Sequence, residues 1–150
     1  MRSFLRLSTR LVGAGVLLAL ICCSEPGPMP VGRSLYDRLG GKTAISAVID
    51  QFVVNVVADT RINARFATAD IPKLKGHLID QVCMAMGGPC TYSGRDMRTT
   101  HAGMKISNAD FRALVEDLTR ALDRFKVSAN EREELLDLLA PMKKDIVEVP

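Results

Sequence analysis

Between residues 43 and 59, apolar side chains recur at Ile45, Val48, Ile49, Phe52, Val53, Val56 and Val57. This i, i+3, i+4, i+7, i+8 spacing gathers them on one face of an α-helix. The β-branched residues among them argue weakly for a strand, but a strand needs a period of two, which the segment lacks. A helix with so continuous an apolar stripe must bury it against other elements, and the rest of the chain offers more helices. Thr43 is the expected cap of this first long helix, and residues 59–63 end it. Asp70 caps the next, with Pro72 near its first turn; Leu74, Leu78, Val82 and Met86 form its stripe, with His77, Gln81 and Met84 beside it. Gly87, Gly88 and Pro89 stop it. After a loop through Tyr92, a short helix carries Met97 and His101. Ser107 or Asn108 then caps a helix whose apolar positions are Phe111, Leu114, Val115, Leu118, Leu122 and Phe125. A last helix follows Ser128, and Pro141 kinks or splits it. No Val/Ile run bounded by turns and no internal repeat is present, so the expected class is all-α.

Residues 1–33 contain Arg2, Arg6, Arg10, Arg33 and Glu25, which account for the whole formal charge of +3. The remainder is neutral and contains no Trp, a poor basis for electrostatic binding of nucleic acid. The basic start leads into the apolar residues 11–21, a stretch too short to span a bilayer comfortably and of signal-peptide size. Cys22 and Cys23 follow, then a Pro- and Gly-rich stretch. A basic start, an apolar core and a cysteine resemble a bacterial lipoprotein signal, with Leu20 three places before Cys23. The expectation is therefore an export segment at 1–23, a linker at 24–33 and one domain at 34–150. The protein would lie in the periplasm or be held to a membrane through an N-terminal lipid; an uncleaved N-terminal anchor is the alternative.

Cys83 and Cys90 match neither a zinc spacing nor a redox motif, and covalent attachment of a c-type haem has no motif to use. In an exported chain the two can pair across the Gly87–Pro89 turn; the preferred reading is that Cys83 is a small buried apolar residue. There are only two histidines, His77 and His101, and a lone helical histidine is more often packed or solvated than a ligand. No Ser-His-Asp set and no phosphate-binding glycine loop is present. The chemistry of the residues reaches a helical domain with one histidine-bound cofactor.

A longer set of residues is more specific. Leu35, Tyr36, Asp37, Arg38, Leu39, Gly40 and Gly41, then Phe52, Arg61, Ile62, Phe66, then Leu74, Lys75, Gly76 and His77, then Gly87, Gly88, Pro89, Tyr92, Ser93, Gly94, Arg95, Met97 and His101 occur in order. This set resembles the group I truncated haemoglobins over about residues 34–147. The resemblance implies a two-over-two helical sandwich around non-covalent haem b, with His101 as the proximal iron ligand. It also implies that Phe66 packs on the haem and that Phe52 lines the pocket; plain core packing would serve both residues equally. Met97 joins the cofactor-binding set beside His101. Tyr92, with Lys73 or Lys75, is a candidate for the haem propionates.

The distal side departs from the family pattern. Many members place a Tyr after the position of Phe52 and a Gln on the next helix; here these positions read Val53 and Leu78, with Leu74 as a further inward residue. Such an apolar pocket has no obvious donor for bound dioxygen. His77 corresponds to a histidine that in some members becomes a second iron ligand; the alternatives are an exposed residue or a propionate contact. The leading functional expectation is reversible binding of dioxygen, nitric oxide or carbon monoxide. A bis-histidine electron-transfer protein of the envelope and a cofactor-free helical lipoprotein are the competing readings. Nitric-oxide dioxygenation finds no support in the distal residues. With no flavin or nicotinamide motif, any reductase or electron donor is a separate partner.

Overall fold

The computed structural model describes residues 32–149; the segment expected to direct export, and most of the linker, lie outside them. The described chain forms seven α-helices: α1 (Leu35–Arg38), α2 (Gly41–Ala58), α3 (Ile71–Ala85), α4 (Met97–His101), α5 (Asn108–Arg124), α6 (Ala129–Leu139) and α7 (Lys143–Ile146). Short 3-10 turns span Asn63–Phe66 and Ala140–Met142. Among the described residues the sole β-pairing is an isolated bridge between Ser107 and Val149. The expected all-α class and the two-over-two arrangement hold.

The central helix is α2. Its face Ile45, Val48, Ile49, Phe52, Val53 and Val56 is buried against α3 and α5. The side of α5 that it meets carries Ala113 and Ala121, both fully buried, and such small side chains let two helices approach closely. Val82 and Cys83 of α3, Met86 just past its end and Leu135 of α6 complete the core.

Local signals explain most helix ends. The Asp70 side chain accepts from Lys73 N, and Ser128 accepts from Glu131 N. Ser107 and Asp110 form a reciprocal capping box on α5. Pro141 separates α6 from α7. The start of α2 differs from the expectation. Its cap is Gly40 at φ +94, not Thr43, and the Lys42 N–H donates to the Tyr36 hydroxyl at 3.1 Å. A side chain of α1 thus does what a capping side chain on α2 would do.

The end of α3 also corrects an expectation. Cys83 is buried as expected, but it is bonded to Cys90 in a disulfide. Gly87 N donates to Met84 O and Gly88 N to Cys83 O, the two bonds of a Schellman stop. That stop reverses the chain tightly enough to bring Cys90 back onto the helix.

Candidate functional site

The site is built around α4, a helix of five residues. Asp96 starts it by accepting from Thr99 N at 2.8 Å, and the bonds from Thr99 hold the Asp96 carboxyl below the usual carboxylate range. One turn on, His101 ends the helix. Its Nδ1 lies 2.7 Å from the Met97 carbonyl oxygen. A carbonyl can only accept, so Nδ1 carries a proton and donates, and in the neutral imidazole this leaves the lone pair on Nε2. This is the arrangement by which proteins fix the tautomer and orientation of a metal-binding imidazole.

His101 lines three apolar cavities. The largest, about 370 Å³, runs between α3, α5 and the α6–α7 segment, with Leu78, Gln81, Val82, Met97, Phe111, Leu136, Met142 and Ile146 in its walls. The second, about 100 Å³, is lined by Phe52, Val53, Val56, Phe66, Ile71, Leu74, Leu78 and Leu114. The third, about 70 Å³, takes in Ile62, Arg65, Phe66, Met104, Ile106 and Phe111. Phe52, Leu78 and Leu114 wall both the first and the second, and Phe111 and Ile146 both the first and the third. The imidazole therefore stands at the meeting point of the three. The largest alone has the size of a small-molecule pocket, roughly 300–1,000 Å³.

The residues singled out in the sequence divide into two groups. Phe52, Val53, Phe66, Leu74, Leu78, Met97 and His101 all line these cavities. His77 and Tyr92 line none of the three; their rings meet edge to face at 6.0 Å, and the Tyr92 hydroxyl donates to the Arg95 carbonyl at 2.7 Å. Lys75 is paired with Asp50. Two groups escaped the sequence reading. Gln81 is a half-buried amide in the largest cavity, and its Nε2 reaches only the weakly accepting sulfurs of Met97 at 3.5 Å and Met142 at 3.4 Å. Glu148 accepts from the backbone N–H groups of Gly103 and Lys105, just beyond His101. Helical spacing placed Gln81 beside the apolar stripe but did not mark it as inward, and no local pattern announces Glu148.

One pinned imidazole in apolar walls suits a flat, largely apolar group that needs one nitrogen ligand for its metal. Haem has that chemistry. An ion held by protein side chains alone does not fit, because among the described residues no three His, Cys, Asp or Glu side chains converge.

Comparison with known proteins agrees. The family model for bacterial-like globins matches residues 34–148. The group 1 truncated hemoglobin GlbN of Mycolicibacterium paratuberculosis is 33% identical over 113 residues, covering 75% of this chain and 83% of that protein. The GlbN of a Nostoc species is also 33% identical, over 76% of this chain and 97% of its own. The crystal structure of truncated hemoglobin from Tetrahymena pyriformis in its Fe(III) form superposes with a TM-score of 0.74 at 30% identity, covering 77% of this chain and 98% of that one. The fold and the site thus define a small globin, and the chain belongs to the bacterial-like globin family, among the group 1 truncated haemoglobins.

Proposed function

We propose that this protein binds haem b non-covalently through His101 and uses it to bind dioxygen or another diatomic gas reversibly. The observation that carries the proposal is the His101 imidazole, held at Nδ1 by the Met97 carbonyl and set where three apolar cavities meet. When bound, the haem supplies an iron with a coordination position for the gas. The protein supplies the rest. The Met97 carbonyl keeps the His101 proton on Nδ1, so Nε2 is the nitrogen presented to the metal. Phe66, Phe111 and Leu114 pack the macrocycle and exclude water. Phe52, Val53, Leu74 and Leu78 wall the gas side without offering a hydrogen-bond donor, which favours easy release over tight retention. Gln81 is the amide of the largest of the three cavities that His101 lines. His77 meets Tyr92 edge to face and lines none of the cavities that His101 lines, which favours a gas over a second imidazole in the coordination position.

The cellular setting is part of the same proposal. Export is supported by the basic, apolar, cysteine-bearing start and by the Cys83–Cys90 disulfide, since disulfides persist in oxidising compartments. Lipid attachment would fall on Cys22 or Cys23, and a separate reductase would return the iron to its ferrous form.

The test is titration of the full chain with haem, following the Soret band, for the native protein and His101→Gly. A one-to-one band in the native protein, lost or weakened in His101→Gly and restored by added imidazole, is expected. An unaltered band in His101→Gly would refute the assignment.

A further inference from the structure

Residues 147–149 belong to no helix, yet they are bonded at every step. The N–H groups of Glu148 and Val149 both donate to Ile106 O, at 2.9 and 3.0 Å, and Asn108 N donates to Val149 O at 3.2 Å. This pairing places the Glu148 carboxylate over the turn that directly follows His101. One of its oxygens accepts from Gly103 N at 2.7 Å and the other from Lys105 N at 2.5 Å.

That turn has little else to hold it. Met104 N closes it onto His101 O at 3.0 Å. Gly103 is left-handed at φ +79, and so is Lys105 at φ +52, where a side chain costs about 1–2 kcal/mol. No atom lies within 4 Å of the place a Gly103 side chain would occupy, and Met104 is 38% exposed. Apolar packing does not fix such a segment; hydrogen bonds do. Arg65 donates to Met104 O at 2.7 Å and is itself paired with Asp110, so the turn is gripped between Glu148 on one side and Arg65 on the other. The Gly103 and Lys105 bonds hold the Glu148 carboxyl below its usual range.

We propose that Glu148 is a positioning residue for His101: by tying down the turn at the end of α4 it fixes the imidazole that holds the haem, and so sets the iron–histidine geometry and how long the haem stays. The proposal rests on the haem reading above. A strap that only stabilised the fold would act on the melting temperature; this one acts on the iron–histidine bond.

The experiment uses the full chain loaded with haem, comparing the native protein with Glu148→Ala, Glu148→Gln and Arg98→Ala. The last removes an exposed ion pair to Asp145 that also links α4 to α7 but leaves the turn alone. Two quantities are measured: the iron–histidine stretching band of the ferrous, unliganded protein, and the rate of haem loss to an excess of apomyoglobin. Glu148→Ala shifts the band and speeds haem loss about 10-fold, the low end of what loss of a group bonded directly to a metal ligand does, because Glu148 acts on His101 through the turn. Glu148→Gln keeps one carbonyl acceptor, falls between, and carries the test if the alanine variant does not fold. Arg98→Ala matches the native protein. A native band and native haem loss in the folded Glu148 variants, or equal effects in Glu148→Ala and Arg98→Ala, overturns the proposal. Failure of the native chain to take up haem overturns instead the reading beneath it.

Discussion

The adjacent glycines at the end of α3 make a paired prediction, because the same substitution meets a different obstacle at each. At Gly88 the backbone is not left-handed, but an added Cβ would lie 2.5 Å from Cδ2 of Tyr36, 2.7 Å from Sγ of Cys83 and 2.8 Å from the Cys83 carbonyl oxygen. Ordinary carbon contacts sit at about 3.5–4.0 Å, so each overlap is on the order of 1 Å. None of the three neighbours moves freely. The carbonyl accepts the Schellman bond, the sulfur is in the disulfide, and the ring carries the hydroxyl that caps α2. Overpacking typically costs about 1–3 kcal/mol, and three overlaps put Gly88→Ala at about 3 kcal/mol, or roughly 10 °C in melting temperature. At Gly87 the nearest atom is Ser34 Cβ at an ordinary 3.5 Å, and the obstacle is φ +78. Backbone strain alone gives about 1–2 kcal/mol, roughly 5 °C. Thermal unfolding followed by circular dichroism of the oxidised protein measures both. If Gly88→Ala melts at or above Gly87→Ala, the packing of α1 onto the end of α3 is not as described.

Two further outcomes are expected. Leu78→Gln puts an amide donor into the wall shared by the two larger cavities; a hydrogen bond of about 1.5 kcal/mol to bound dioxygen would slow its release roughly tenfold in stopped-flow measurements, and unchanged release in a folded variant would show that this wall does not face the gas. Asp117 is fully buried, its Oδ2 has no hydrogen-bond partner, and burial raises its pKa against the opposing pull of Arg120. A raised folded pKa means that its share of stability is complete below the unfolded value and is lost as pH rises through the folded one. Asp117→Asn should therefore gain melting temperature relative to the native protein as the pH rises above the ordinary carboxylate value of about 4; a difference independent of pH would contradict this.

Much of this structure is legible in the sequence because it is local. Asp70, Ser107 and Ser128 start helices by bonding their own first turns, and Pro141 breaks one through its own ring. The apolar spacing of α2 is what its buried face turns out to be, except for Val57, which is 54% exposed at the helix end. The departures are those that need a partner outside the helix concerned, a few residues away or far along the chain. Thr43 is a sound local cap, yet the helix begins earlier because Tyr36 reaches across from α1. The Cys83–Cys90 bond depends on how tightly the glycine turn folds back, and the two residues alone do not state that. His101, Phe52 and Leu78 could be picked out as site residues, but Gln81 becomes part of the cavity only once α4 and the residues around Met142 are placed beside it. Glu148 reaches its turn from 43 to 45 positions away, beyond any local pattern.

The central claim is an iron held by His101 with its other side open to a gas. The most direct measurement is the visible spectrum of the haem-loaded, ferrous, unliganded protein beside His77→Ala. The account predicts one broad, five-coordinate visible band in both. Sharp split bands in the native protein that vanish in His77→Ala would show that His77 leaves Tyr92 to occupy the iron, and would contradict it.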